Sequence, residues 1–578
     1  MPRKENALLK WSRQGVHGHH LDYYCIMKHP YLALVMLLQP LVGYTQDPVW
    51  SWGSVGTGDG YDNVVDVATD AAGNIFAVGF TESTELTFGT FTVPGPGSAN
   101  AMAFVVKMDA TGTPLWLRTI DGPRIERAGS VVVDADGNCI VAGAFSSSQL
   151  TIGDSTFTNF GWIPYFDAFL VKYDPEGEQI WARQMGGIVD DRVNDMTVDP
   201  DGSIYAVGKV ASVVTSFGGT VMDPGLPGNI YYLKMDPDGN DVWVQMTGGA
   251  DGVLDGDNAL GVAWNADTLY LSGGIDGAEG NIGGVIFETA PMGSDAWVAK
   301  ADPGTGIAFW AKRFGSPNAG EGAYLAVDAL GNMHLAGTSV SSTFIVEGDT
   351  LSTNGLSEYV FVVQFDPAGE HTWTLATTGM NWERLYGIQA LQEGGCAILG
   401  SFTSPTMNIG TLSLTNMNSA STYVVGIDAE GNTTWGTVSV GTTADQAVGI
   451  TVDAFGDLYI GGFFTSVEFG LGDLQLVNTD APSGQAFVAK LELAPFTGVD
   501  EPGVQSCRAF PNPVSQVVAF SGMNGGAVAA GLFDVAGRCV ARFNLVPDRP
   551  VDVSGLAPGS YRMRLTDAPA VQAAFIKL

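Results

Sequence analysis

The stretch Ala103-Phe-Val-Val-Lys-Met-Asp109-Ala-Thr-Gly-Thr-Pro-Leu-Trp116 decides the fold. A short run of strand formers meets a tight Asp/Gly turn and continues into a second run carrying a tryptophan, which reads as a β-hairpin. The pattern returns at Ala168-Phe-Leu-Val-Lys-Tyr-Asp174 before Trp181, and at Val360-Phe-Val-Val-Gln-Phe-Asp366 before Trp373. Tryptophan itself recurs at 50, 116, 181, 243, 310, 373 and 435, with spacings of 62 to 67 residues. A second hairpin follows each tryptophan, as in Val67-Ala-Thr-Asp70-Ala-Ala-Gly-Asn-Ile-Phe-Ala-Val-Gly79, with counterparts beginning at Asp134, Asp199, Asn265, Asp328, Leu391 and Asp453.

Each unit therefore supplies four strands: A (Val-x-Val-Asp), B (Asn-Ile-Phe-Ala-Val-Gly), C (Ala-Phe-Val-Val-Lys) and D (the Trp strand). Seven such units predict an all-β, seven-bladed β-propeller over 47–493. The ends complement each other. The array opens on a lone D strand, Val49-Trp-Ser-Trp-Gly-Ser-Val55, and closes on a lone C strand, Ala486-Phe-Val-Ala-Lys-Leu491. Their pairing would complete blade 7 and remove an exposed edge.

Composition agrees with this reading. Hydrophobic residues make up 45% of the 578, charged residues 15%, and glycine supplies 77, so turns and strands prevail over charged helices. Net charge is −35. Residues 1–46 contribute +3 and residues 500–578 contribute +1, which leaves −39 on 47–499. Nucleic acid and anionic membrane surfaces need a basic face and are excluded as partners.

Aligned on the A-strand Asp, the units share an acidic position eight residues earlier: Asp62, Glu126, Asp191, Asp257, Glu383 and Asp445, with Glu321 one place displaced in unit five. This places a ring of carboxylates at one mouth of the channel, either locking blades through loop amides or holding a cation. Arg127, Arg192 and Arg384 directly follow three of them and are candidate partners. The turns Asp134-Ala-Asp136-Gly, Asp199-Pro-Asp201-Gly and Asp236-Pro-Asp238-Gly imitate the start of a calcium loop but lack its later ligands, so they read as hairpin turns. Asp251, Asp255 and Asp257 form a denser acidic loop, the best candidate for Ca²⁺, and no other cofactor is indicated.

The repeated tryptophans read as packing between blades. Phe160, Trp162, Tyr165 and Phe166 in the B-to-C connection of unit two, and Trp382 beside Glu383, sit outside that repeat and are candidate ligand contacts. The repeats hold two histidines, His334 and His371, and no nucleophile elbow, metalloprotease helix or phosphate loop. Cys139 and Cys396 occupy equivalent strand positions and read as buried free thiols, while Cys507 and Cys539 are a candidate pair. The function that follows is a non-enzymatic ligand-binding or adhesion scaffold. The alternative is a carbohydrate-active enzyme working through channel-mouth carboxylates.

Lys28 and His29 lead into Tyr31-Leu-Ala-Leu-Val-Met-Leu-Leu38, broken by Pro40. A basic start, a short apolar run and a polar exit predict a secretory signal peptide over 27–46, too short to span a bilayer. Residues 1–26, with His17, His19 and His20, read as an upstream mis-start. After a linker at 494–504, short strands and Gly/Pro turns over 505–578 predict a small β-sandwich.

Two resemblances extend this reading. The units are similar to the SBBP-type β-propeller repeat of bacterial secreted proteins, through Trp, Val-x-Val-Asp-x-x-Gly-Asn, a Phe-Gly stretch and Ala-Phe-Val-x-Lys-x-Asp. Units four (Asn265-Ala-Asp-Thr) and six (Leu391-Gln-Glu-Gly) depart from the pattern. That family implies an extracellular scaffold without shared catalytic residues. Residues 505–578 resemble the C-terminal sorting domain of the type IX (Por) secretion system of Bacteroidetes, with Phe-Pro-Asn-Pro, Phe-Asp-x-x-Gly-Arg, Leu-x-Pro-Gly-x-Tyr and a late Lys in order. The resemblance implies that Phe510, Pro511, Asn512, Pro513, Gly537, Gly559, Tyr561 and Lys577 belong to a signal read by the outer-membrane translocon. It also implies cleavage in the linker, then release or surface attachment. The expected location is secreted or cell-surface, with an extracellular protein or glycan as ligand.

Overall fold

The computed structural model describes residues 48–493, apart from short connecting stretches of which 223–228, 250–256, 289–293, 316–322 and 353–357 are the longest, and most strands between 508 and 577. The expected signal peptide, residues 1–26, the linker, Asp251, Asp255 and Glu321 lie outside the described residues, as do Cys507, Pro511, Asn512, Pro513 and Gly537.

Seven antiparallel blades follow one another, each with four strands in the order A-B-C-D, and in five of them a further hairpin extends the sheet to six strands. Blade 1 consists of Asp62–Thr69, Ile75–Thr81, Met102–Met108 and Pro114–Ile120. In blade 7 the first three strands are Gln446–Val452, Leu458–Phe464 and Gln485–Glu492, and the fourth is Val49–Thr57 from the other end of the chain. Val49 faces Glu492 and Gly56 faces Ala486, so the predicted closure is present in register.

That register also corrects one position in the tryptophan series. Trp52, not Trp50, lies opposite Lys490, as Trp116 lies opposite Lys107 and Trp181 opposite Lys172. A bulge at Ser51 shifts the strand, and Trp50 takes the place that Pro114 fills in blade 1. Each B-to-C connection adds something absent from the sequence reading: a short hairpin laid against the D strand of the preceding blade. Glu85–Phe88 joins the closing strand Val49–Thr57, and Thr406–Ile409 joins His371–Thr378 in the same way. In blades 2 and 5 the attachment narrows to single bridges, Asp121 to Thr151 and Gly315 to Ile345.

Apolar residues fill the space between neighbouring blades. Phe76, Val78 and Val105 of blade 1 pack with Val131, Val141 and Phe169 of blade 2, all buried. Cys139 and Cys396 are buried free thiols in B strands, and burial pushes the Cys139 thiol up to about 12. The C-terminal region forms two antiparallel sheets, one of three strands (Arg508–Phe510, Val517–Ser521, Val551–Asp552) and one of four (Val528–Asp534, Cys539–Leu545, Gly559–Leu565, Gln572–Lys577). Tyr561 is buried in the second sheet, which also carries Gly559 and Lys577 on its strands.

Candidate functional site

The A-to-B and C-to-D turns lie at one end of the propeller, the turn face. The D-to-A and B-to-C connections lie at the other, the loop face. The two ends use their side chains differently.

On the turn face the repeated Asp, Trp and Lys side chains close the turns and tie neighbouring blades together. The Asp at the head of most of these turns accepts hydrogen bonds from the amides two and four residues on, as Asp134 does from Asp136 and Asn138, and Asp236 from Asp238 and Asn240, whereas Asp302 takes the Thr305 amide three residues on and the A-to-B turns of blades 4 and 6 begin at Asn265 and Leu391. These are hairpin turns with Gly137, Gly202 and Gly239 left-handed at φ of 81°, 81° and 78°. Blade 4 lacks the glycine and turns through Ala266 and Asp267 at positive φ instead. Six of the seven D-strand tryptophans lie on the C-to-D turn glycine of the next blade; Trp435 faces blade 7, whose D strand comes from the other end of the chain, and lies on Gly426 of its own blade. A Cβ on Gly177 would come 2.9 Å from Trp116, one on Gly369 2.7 Å from Trp310, and one on Gly431 2.8 Å from Trp373. The indole N–H then donates to the carbonyl of the same turn: Trp116 to Pro175 at 3.0 Å, Trp181 to Pro237 at 3.0 Å, Trp243 to Pro303 at 3.1 Å. The C-strand lysine reaches that carbonyl too, Lys107 to Pro175 at 3.0 Å and Lys172 to Pro237 at 3.2 Å. Lys172 also pairs with buried Asp134 at 2.9 Å.

At the loop end, six carboxylates of the acidic series are described: Asp62, Glu126, Asp191, Asp257, Glu383 and Asp445. All are buried, and none lines the central cavity. In five blades the carboxylate accepts a hydrogen bond from a serine 21 residues later: Ser83, Ser147, Ser212, Ser404 and Ser466. That serine in turn accepts a D-to-A loop amide, from Gly60, Arg124, Val189, Asn381 and Thr442. The amide of the acidic residue itself donates to the preceding blade, Asp191 to the Phe166 carbonyl and Glu383 to the Glu358 carbonyl, both at 2.9 Å. The constant 21-residue spacing was present in the sequence and would have found the serines. Burial, opposed by these hydrogen bonds, pushes Asp62 and Asp191 up to about 6 and Glu126 and Glu383 up to about 7.

The arginines that follow three of these residues do not pair with them. Arg127 lies 4.4 Å from the Phe80 ring and 3.5 Å from Glu82. Arg192 lies 5.8 Å from the Phe166 ring and 3.9 Å from Asp190. Arg384 lies 4.8 Å from the Trp382 ring and 3.0 Å from Glu358. The cause is alternation along the strand: the acidic residue points inward between blades, so its neighbour points out to solvent.

The central cavity, of about 670 Å³, is lined by the A strands of all seven blades. Six of those strands carry a one-residue bulge, as between Val64 and Asp66. Sequence reasoning missed two carboxylates here, Asp66 and Asp195. Asp66 accepts the amides of Val67 at 2.8 Å and, in the next blade, Val131 at 2.9 Å. Asp195 accepts those of Met196 at 2.8 Å and Val262 at 2.8 Å. Enclosure by protein raises both to about 7, and repulsion by Asp66 adds to the effect on Asp195. No lysine, arginine or histidine is among the lining residues. Their signal was position: each stands four residues before an A-strand Asp, where Ser130, Gly261, Gly387 and Gly449 stand in other blades. Among the described residues no group of three acidic, cysteine or histidine side chains is placed to hold a metal ion.

The aromatic candidates divide. Trp162 is 82% exposed, and Phe160 and Tyr165 are exposed beside it, while Phe166 is half-buried beneath Arg192 and Trp382 half-buried beneath Arg384.

No family model matches the chain. Over 434 residues, 62% of its length, it is 23% identical to an uncharacterised WD repeat-containing protein of Acanthamoeba polyphaga mimivirus, and over 136 residues 25% identical to the regulatory protein FlaEY of Caulobacter vibrioides. The chain spans 31% and 14% of those two proteins, less than a third of either. Among solved structures it is similar to BamB from Moraxella catarrhalis, at 12% identity and a TM-score of 0.34, covering 77% of this chain and 99% of that one. Quinohemoprotein alcohol dehydrogenase from Comamonas testosteroni gives 12% identity and a TM-score of 0.34 over 82% and 80%. The strand order and the closing pair make this chain a seven-bladed β-propeller of repeated blades.

Proposed function

We propose that this chain is an exported propeller that acts as a non-enzymatic binding or adhesion scaffold. One observation carries the reading. The carboxylates that would do chemistry at the loop end are sealed and engaged by serine hydroxyls and backbone amides, whereas aromatic side chains on the same face stand in solvent. A general acid needs access to its substrate as well as a raised pKa. Here the raised values arise first from burial, which denies that access. The acidic series then serves as a set of loop locks.

Export rests on the apolar run at 31–38 and on the sorting motifs over 505–578. The C-terminal domain serves as the address read by an outer-membrane translocon, and the propeller is its cargo. Expression of the full chain, and of a chain ending at residue 504, in a Bacteroidetes host tests this. Protease-accessible or released propeller is expected only from the full chain, and equal export of both overturns the sorting role.

A carbohydrate-active enzyme is the second reading, and Asp66 with Asp195 is the pair it would require, because these two carboxylates face a common cavity. Each already accepts two backbone amides, which holds it as a strand-to-strand tie. Release of reducing ends from polysaccharide that Asp66→Asn or Asp195→Asn abolishes would establish the enzyme.

A further inference from the structure

The exposed aromatics of blade 2 do not sit on a loose loop. The Phe160 amide donates to Asp167 at 2.7 Å, the Gly161 amide to Asn159 at 2.8 Å, and the Tyr165 amide to the Trp162 carbonyl at 2.9 Å. Asn159 ties the segment back to the Phe145 and Tyr165 carbonyls. These bonds order the backbone that presents the exposed rings of Phe160, Trp162 and Tyr165, so a ligand would find the backbone ordering cost already met. Ile188, 59% exposed on the adjoining D-to-A loop, extends the apolar surface. Beside it the pair Arg192–Asp190 offers donors and acceptors side by side, and Asp190 also takes the Phe166 amide at 2.9 Å.

The same grouping of aromatic ring, guanidinium and carboxylate recurs at the junction of blades 5 and 6, as Trp382, Arg384 and Glu358, and at that of blades 1 and 2, as Phe80, Arg127 and Glu82. Because each arginine follows a residue of the acidic series, all three groups face the same end of the propeller. Each pairs one positive with one negative charge on a body that carries −39 over 47–499. A cationic ligand has no reason to choose these neutral patches over the acidic surface around them, and an anionic ligand is repelled by that surface. An uncharged polyhydroxyl chain fits. The apolar face of a sugar ring stacks on an indole or phenol, adjacent hydroxyls bridge the guanidinium and carboxylate, and a repeating polymer meets repeating stations.

We propose that the loop face binds a neutral glycan chain, with Trp162 and Tyr165 as the main stacking surface and Trp382, Arg384 and Glu358 as a second station. This rests on the binding-scaffold reading above and names its ligand class. Affinity electrophoresis of the full chain tests it, in native gels containing hydroxyethylcellulose, laminarin or, as the anionic control, polygalacturonate. At least one neutral polymer is expected to retard the protein. Replacing Trp162→Ala with Tyr165→Ala raises the apparent Kd about tenfold or more, and Trp382→Ala raises it less. Trp162 is mostly in solvent, so the variant keeps its thermal midpoint. Unaltered migration in both neutral gels overturns the proposal, and so does retardation by polygalacturonate alone. Undiminished affinity in the doubly substituted protein at an unchanged midpoint overturns the placement. Reducing ends released from a polymer that still binds through Trp162 would sink the non-enzymatic reading and leave the glycan face standing, so the two failures are distinguishable.

Discussion

The two ends of this propeller are built from the same repeated unit yet spend their side chains in opposite ways. On the turn face, tryptophan and lysine are consumed by contacts to the following blade, as in Trp116 and Lys107 on the Pro175 carbonyl, and aspartate by its own turn and its own blade's lysine, as in Asp134. On the loop face the buried carboxylates do the locking, and the arginines and aromatics point outward. One surface commits its tryptophans and lysines to the next blade, and the other leaves side chains such as Trp162 and Arg192 in solvent. A tryptophan is therefore buried against the next blade at the turn end, as Trp116 is, and can stand in solvent at the loop end, as Trp162 does.

The most severe break of this comparison removes the closing strand. A chain lacking Val49–Thr57 leaves blade 7 with three strands and a free edge along Gln485–Glu492, and strips the hairpin Glu85–Phe88 of its support. The expected outcome is loss of the folded monomer, read as aggregation by size exclusion and loss of a cooperative melt. A monomer that still melts cooperatively would show that closure is dispensable.

Next in size is the contrast between two tryptophans. Trp116→Ala empties a buried site against Gly177 and removes one of the two donors to the Pro175 carbonyl, leaving Lys107 alone on it, and should cost about 3–5 kcal/mol in denaturant unfolding. Trp162→Ala should stay within about 0.5 kcal/mol, because its ring is already in water. Comparable losses from both would erase the distinction between the faces.

The turn face was largely legible in the sequence because its contacts repeat at fixed positions within each unit. Blade count, strand identity and the pairing of the two chain ends all follow from the 62–67-residue period. The bulge at Ser51 was not legible, since two tryptophans two residues apart satisfy the same period and only backbone register separates them. The loop end was half legible. The acidic position emerged from alignment, but its burial did not, because a carboxylate sealed by a distant serine and one facing solvent look alike in a linear pattern. The 21-residue serine spacing carried that information, as did the turn from Asp191 to outward-facing Arg192. Asp66 and Asp195 occur in only two blades and so escape any search for repetition.

Burial of these carboxylates predicts an unusual pH response. Asp62, Asp66, Glu126, Asp191, Asp195 and Glu383 titrate at about 6 to 7 when folded, above their ordinary values of 3.8 and 4.5. Between about pH 4 and 7 the folded chain thus holds more protons than the unfolded one, and stability falls as pH rises through that window. Below it the sign reverses. Burial raises Asp328, but His334 3.6 Å away together with the hydrogen bonds from Asn332 and the Leu330 amide holds it at about 2, and Asp134 and Asp236 are likewise lowered. Stability from those turns is lost as they protonate. The thermal midpoint is expected to be about 5 °C or more higher at pH 5 than at pH 8, and Glu126→Gln should narrow that gap. A midpoint that rises from pH 5 to pH 8 would mean the loop carboxylates are solvated in solution, which removes the locking role.

The smallest expected effect concerns calcium. Cation binding to the native state raises the midpoint by mass action, about 2.7 kcal/mol at 100 times Kd. Five of the six described carboxylates of the acidic series, all but Asp257, present oxygens already bonded to serine hydroxyls, as Asp445 and Asp191 do. Coordinating Ca²⁺ would require breaking those bonds and opening the loops they hold. Melts in 1 mM Ca²⁺ and in EDTA should therefore agree within about 1 °C, since binding to the folded state alone would separate them. A clear rise that Asp445→Asn removes would turn the locks into ligands and collapse the contrast between the two faces. A rise that Asp257→Asn removes while Asp445→Asn leaves it intact would instead assign calcium to the acidic loop at 248–258, and the serine-locked positions would keep their structural role.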